Sequence, residues 1–134
     1  MRLSLYVHIP FCHRLCWYCG CNTKATQRYA PVGGYLSPVE SEIAGVASLL
    51  PGRHSVAHMH WGGGSPNILT AGDIGKIASA LRNAFIIERR AEFAVEIDPR
   101  HMDGEKIRRS SSSTLTASPS SATRACPSAP NING

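Results

Sequence analysis

Apolar and polar positions fall into short blocks of two kinds. Leu3-Ser-Leu-Tyr-Val-His-Ile9 is short, rich in strand-forming residues and stopped by Pro10, which predicts a buried strand. Val56-Ala-His-Met-His-Trp61 predicts a second strand, running into Gly62-Gly63-Gly64. Glu92-Phe-Ala-Val-Glu-Ile97 predicts a third, ended by Asp98-Pro99.

Between the strands the period becomes helical. Ser37 can cap a helix, Pro38 suits its first position and Glu40 completes a capping box. Val39, Ile43, Val46, Ala47 and Leu50 follow at helical spacing until Pro51-Gly52. Tyr29 to Gly34 reads as loop. Thr70 is expected to cap a second helix, with Asp73 three residues on. Its apolar face is Ile74, Ile77, Ala78, Leu81 and Phe85. Gly72 and Gly75 weaken it by up to ~1 kcal/mol each. The order β-loop-α-β-loop-α-β predicts an α/β fold with parallel strands and right-handed crossovers. Such folds build their sites where strands end.

The character changes at Arg108. Arg-Arg-Ser-Ser-Ser-Ser-Thr-Leu-Thr-Ala-Ser-Pro-Ser-Ser has no periodicity and no aromatic residue, and reads as disordered, low-complexity sequence. Two segments are therefore expected, 1–107 and 108–134. Composition adds little. The formal charge is +5, but Arg108, Arg109 and Arg124 fall in the second segment, which has no acid. The first 107 residues hold eleven basic and nine acidic groups, weak grounds for nucleic-acid binding. No apolar run approaches the ~20 residues of a membrane span.

Chemistry concentrates in Cys12-His-Arg-Leu-Cys16-Trp-Tyr-Cys19-Gly-Cys21, which carries four of the five cysteines. Thiolates suit zinc or iron–sulfur clusters. Three in a C-x3-C-x2-C loop can hold a 4Fe–4S cubane with one iron left open, since a closed cluster takes four Cys. Cys21, two residues past Cys19, reads as a neighbour of the cluster and not a fourth ligand. A four-Cys zinc site and a disulfide pair remain as readings of the spacing. The first lacks a second, separate hook. The second wants a secreted chain, and no signal-like leader is seen, so a reducing cytoplasm is expected.

These residues carry a resemblance. Tyr6-Val-His-Ile-Pro-Phe-Cys12 with the Cys loop through Cys19-Gly-Cys21-Asn22 resembles the radical S-adenosylmethionine enzymes. Together with His60-Trp-Gly-Gly-Gly-Ser-Pro66 and Glu96-Ile-Asp-Pro99, it is similar to the oxygen-independent coproporphyrinogen III oxidases of haem biosynthesis. The likeness runs from about Leu3 to about Ile107. It implies a partial (β/α) barrel of about three βα units, and a first helix that starts a few residues earlier, with Pro38 inside its first turn. It makes Cys12, Cys16 and Cys19 the ligands of three irons, and gives the fourth iron to S-adenosylmethionine. Tyr6, Tyr18, Gly63, Gly64, Ser65 and Glu96 become contacts of that cofactor. The implied reaction starts with reductive cleavage of S-adenosylmethionine to a 5′-deoxyadenosyl radical. Two propionates of coproporphyrinogen III then become vinyls, giving protoporphyrinogen IX. An electron donor and an acceptor, both unidentified, and a monomeric intact enzyme are implied as well.

The remaining polar residues read more blandly. Trp17 is expected to pack around the cluster. His8 fits a site residue or a core histidine equally. His58 and His60 share a strand face and, with no acid nearby in sequence, read as structural. Arg100 and His101 could meet substrate carboxylates. The match stops abruptly after Ile107, which suggests an out-of-frame tail that includes Cys126. The other two reading frames of the coding DNA would then continue the βα pattern.

Overall fold

Alternation sorts the first strand into two faces, and the rest of the fold follows from that sorting. The computed structural model describes residues 1–15 and 22–98, and the backbone of 123–125. Strand β1 (Arg2–Ile9) turns Leu3, Leu5, Val7 and Ile9 toward the core and leaves Ser4 and Tyr6 exposed. Two short strands follow, β2 (Phe11–Cys12) and β3 (Lys24–Ala25), which pair with each other in parallel. Helix α1 (Ala30–Leu49), strand β4 (Ser55–Gly63), a 3-10 turn (Pro66–Ile68), helix α2 (Ala71–Ala84) and strand β5 (Ile86–Ile97) come next. Strand β6 (Thr123–Ala125) is the last described element.

The main sheet has the order β1-β4-β5-β6, and its pairs are parallel, as expected for α/β architecture. Both helices pack on one face. Val32, Leu36 and Val39 of α1 and Ile77 and Leu81 of α2 join Val7, Ile9, Val56, Met59 and Trp61 in one cluster. Ile9, Ile77, Val32 and Val56 are fully buried, each worth about 1.5–3 kcal/mol in transfer terms. The opposite face carries Ser4, Tyr6, His58, His60, Glu92 and Ala94, which line an open groove of about 410 Å³.

Two expectations need correction. Helix α1 begins at Ala30, so Ser37 is no cap and Glu40 closes no capping box. Pro31 occupies the first turn instead, and Val32, Leu36 and Val39 set the buried stripe. Pro38 sits in the interior of the helix on its exposed side, where water can serve the carbonyl it leaves without an amide partner. Val46 is correspondingly off the core, 44% exposed. The third strand starts at Ile86, six residues earlier than its alternation suggests. Ile86 and Ile87 pair with Ser55 and Val56, the register then slips, and pairing resumes at Glu92 opposite His58. Within 108–134 the described residues are those of β6, whose Thr123, Arg124 and Ala125 pair with Val95, Glu96 and Ile97. The rest of 108–134 lies outside the described residues. No helix among them is long and apolar enough to cross a membrane.

Helix α2 is capped as its sequence predicts. The Asp73 amide donates to Thr70 Oγ1 at 3.2 Å, and Thr70 Oγ1 donates to Asp73 Oδ2 at 2.6 Å. Tyr29, at the N-terminus of α1, donates its hydroxyl to the same Asp73 oxygen and accepts the Thr70 amide at 3.0 Å. Lys76 reaches Asp73 Oδ1 at 3.2 Å. These bonds tie the starts of the two helices together.

Hydrogen bonds from Thr70 and Tyr29, then the Lys76 bond and charge, hold the Asp73 carboxyl below its usual range. A depressed carboxyl stabilises the fold above its unfolded pKa of about 4, and that contribution fades as pH falls through the lower folded value. In a folded polypeptide carrying this segment, Asp73→Ala should therefore cost about 1–2 kcal/mol at neutral pH. The deficit should shrink below pH ~4, read from urea midpoints across pH. An unchanged deficit at low pH would contradict this role.

Candidate active site

Parallel pairing brings the carboxyl ends of three strands to one edge. His8 pairs with Gly62 and Ile9 with Gly63, while Trp61 pairs with Val95 on the other side. Cys12 follows β1, the glycine turn closes β4, and Glu96 stands near the end of β5. Backbone bonds weld the first two together. The Gly64 amide donates to the Ile9 carbonyl and the Ser65 amide to the Phe11 carbonyl, both at 2.8 Å. On the other flank, the Lys24 amide meets the Pro10 carbonyl at 2.8 Å and the Thr26 amide meets the Cys12 carbonyl at 2.9 Å. The ends of the cysteine loop are thus pinned at its base. Gln27 adds a side-chain bond to the His13 carbonyl at 2.6 Å.

Cys12 is buried, and its Sγ lies 3.3 Å from Ser65 Oγ, itself buried. Thr23 donates its hydroxyl to the Gly63 carbonyl at 2.8 Å, linking the far end of the cysteine loop to the turn. Glu96 accepts from the Gly63 amide at 3.1 Å through Oε2 and from His60 Nε2 at 3.1 Å through Oε1. Asn67 clamps the next segment. Its amide donates to the Asp98 carbonyl at 3.1 Å and its oxygen accepts the Asp98 amide at 3.3 Å, fixing the strand end beside Glu96.

The three glycines are needed for reasons internal to the chain. Gly63 has φ +98°, a conformation that L side chains avoid, and an added Cβ would sit 2.2 Å from the His8 ring. At Gly62 a Cβ would lie 2.7 Å from the Glu96 carboxyl carbon. At Gly64 it would strike backbone, 2.5 Å from the Phe11 oxygen. The open sides that suggest ligand approach in the sequence are, in this structure, taken up by Glu96, His8 and the β1–β2 connection.

Of the sequence-derived site residues, Cys12, Gly63, Gly64, Ser65 and Glu96 converge on this edge. Tyr6 lies further down the open face, 56% exposed, with its hydroxyl 3.2 Å from His8 Nδ1 and its ring edge-on to His60 at 5.4 Å. His8 is half-buried against the turn, nearer to a site residue than to a core one. Cys16, Tyr18 and Cys19 lie outside the described residues, as do Trp17, Cys21, Arg100 and His101. His58 and His60 do have acid partners, Glu92 at 3.2 Å and Glu96 at 3.1 Å. Sequence proximity hid them, because the partners lie one strand away. Two histidines on one strand and two glutamates on the neighbouring strand, expected to be parallel, were the available signal. Thr23 and Asn67 gave none.

The donor set suits a cluster and a charged cofactor. A buried soft thiol abuts the glycine turn through Ser65, and a half-buried carboxylate sits on that turn with lone pairs to spare. The model of the radical SAM superfamily matches residues 6–117, and this chain belongs to that superfamily. Within it, the chain is similar to enzymes of porphyrin chemistry. It is 44% identical over 106 residues to the anaerobic coproporphyrinogen III oxidase 1 of Cereibacter sphaeroides, covering 79% of this chain and 24% of that protein. It is 46% identical over 101 residues to the oxygen-independent coproporphyrinogen III oxidase of Escherichia coli K12, covering 75% and 22%. A solved structure of Escherichia coli coproporphyrinogen III oxidase (HemN), described as a radical SAM enzyme, superposes with a TM-score of 0.77 at 40% identity, covering 84% of this chain and 26% of that one. The chain spans about a quarter of the length of the relatives it matches.

The glycine geometry makes a sharp contrast testable. Gly64→Ala puts a methyl into backbone that cannot yield, and should destabilise by about 1–3 kcal/mol. Gly45→Ala, on exposed helix with nothing within 4 Å, should be neutral or stabilising by up to ~1 kcal/mol. Urea unfolding of the two variants checks the sign. Equal effects would show that the turn is not packed as described.

Proposed function

We propose that residues 1–107 form the N-terminal part of the catalytic barrel of an oxygen-independent coproporphyrinogen III oxidase. The intact enzyme converts two propionates of coproporphyrinogen III to vinyls and yields protoporphyrinogen IX. The observation that carries this reading is the convergence of Cys12, the Gly63–Ser65 turn and Glu96 on one sheet edge. Identity above 40% to enzymes of that name across the same segment supports it.

Cys12, Cys16 and Cys19 would hold a 4Fe–4S cluster. Tyr6, Tyr18, Gly63, Gly64, Ser65 and Glu96 would hold S-adenosylmethionine. When bound, the two together supply one-electron, hydrogen-abstracting chemistry at an unactivated carbon. The chain's own part is positioning. Ser65 lies against the Cys12 sulfur, Thr23 steadies the Gly63 carbonyl, and the hydrophobic layer beneath excludes water from the thiolate side.

Turnover is assigned to a polypeptide of the relatives' full length, monomeric, in a reducing cytoplasm, with an electron donor and acceptor of its own. Among the described residues the polar sheet face is open, with Tyr6 more than half exposed and none of them over the groove it lines. The 134 residues alone should form no protoporphyrinogen. Residues 108–134 are read as a segment outside the catalytic unit, although the superfamily match reaches residue 117. A sister radical enzyme or haem-trafficking paralogue is the alternative, and a metal-binding fragment without turnover is a second.

The test is a full-length chimera in which residues 1–107 replace the matching segment of the Escherichia coli relative. After anaerobic reconstitution it should convert coproporphyrinogen III and release 5′-deoxyadenosine. Cys12→Ala, Cys16→Ala and Cys19→Ala should each lower iron content and product by at least ~10-fold. Full iron loading in any of the three would remove the ligand assignment. Deoxyadenosine release without porphyrin product would favour a sister enzyme.

A further inference from the structure

Among the residues around Glu96, one histidine occupies a distinctive place in the sheet. His60 pairs directly across the sheet with Ala94, yet its imidazole reaches diagonally, toward the carboxyl edge, to Glu96 at 3.1 Å. The small Ala94 side chain leaves room for that lean. With Glu96 Oε1 as the acceptor, the bond takes the hydrogen of His60 Nε2. The other carboxylate oxygen takes the Gly63 amide at 3.1 Å, and Gly62 has no Cβ where the carboxyl carbon lies. Tyr6 stands edge-on to the imidazole at 5.4 Å on the far side.

We infer that His60 is a positioning residue that fixes the Glu96 carboxylate on the glycine turn and so preorganises the S-adenosylmethionine site; this rests on the reading of Glu96 as a cofactor contact. Held at one oxygen only, the carboxylate could swing about the Gly63 bond. Held at both, it keeps its remaining lone pairs aimed in one direction, and the ordering is done before the cofactor arrives. The sheet carries its own control one rung lower. His58 meets Glu92 at 3.2 Å straight across the same strands, but that pair is more exposed, 55% and 72% against 44% and 38%, and makes no bond to the turn.

The measurement is the dissociation constant for S-adenosylmethionine, by anaerobic equilibrium dialysis on the cluster-loaded chimera, with iron content and thermal midpoint followed alongside. His60→Leu should weaken binding about 10-fold at unchanged iron content. His60→Gln, whose amide can replace Nε2–H, should restore affinity to within about 3-fold. His58→Leu should leave affinity unchanged. Glu96→Gln should weaken binding, and adding His60→Leu to it should cost little more, because the two residues act as one unit. If Glu96→Gln binds like the parent, the cofactor-contact reading has failed and the inference falls with it. If Glu96→Gln weakens binding but His60→Leu does not, only the inference is overturned. It is equally overturned if His60→Gln is as weak as His60→Leu, or if His58→Leu weakens binding to the same degree.

Discussion

Parallel pairing of β1, β4 and β5 is the constraint on which the rest depends. Each strand delivers its chemistry at or just past its carboxyl end, so three segments far apart in sequence meet only if the strands run the same way in this register. A slip of one residue between β1 and β4 would turn Val7 and Ile9 out of the core and carry Cys12 away from Ser65. Burial of Ile9 and Val56 between sheet and helices therefore does more than stabilise. It sets where the thiol stands relative to the turn, and the bonds from Gly64 and Ser65 to Ile9 and Phe11 complete that placement.

The two faces of the sheet divide the work. One is sealed by α1 and α2, whose N-termini are joined through Tyr29, Thr70 and Asp73. The other is a polar ladder of Tyr6, His8, His58, His60, Glu92 and Glu96. A soluble sheet with both faces of this kind would not hold together, because only the apolar face gains from burial. The polar face is preorganised, with His58 paired to Glu92 and His60 to Glu96 within the chain.

Much of this was legible in the sequence, and the failures have physical causes. The alternation of β1 and the Thr70–Asp73 cap of α2 are local signals, and each element appears where its signal lies. The start of α1 was masked because Ser37-Pro38 imitates a helix start, while Pro38 is tolerated inside the helix by its exposure. The first residues of β5 carry no alternation because the register breaks between Ile87 and Glu92. At the site, Cys12 was marked by the spacing of the cysteines, whereas the glycine turn and Glu96 were marked as site residues by the resemblance. The partners of His58 and His60 were not, since a cross-strand acid is invisible until register is known. The resemblance makes Gly63 and Gly64 cofactor contacts, and the structure adds that Gly62, Gly63 and Gly64 each make room for the chain itself.

The proposed function turns on one cluster iron that the protein would leave without a ligand, for S-adenosylmethionine to take. Electron–nuclear double resonance on the reduced full-length chimera, with S-adenosylmethionine carrying ¹⁵N in its amino group and ¹⁷O in its carboxylate, reads that contact directly. The account predicts resolved couplings from both labels to the cluster. An intact, reduced cluster that shows neither coupling with the cofactor bound would contradict it.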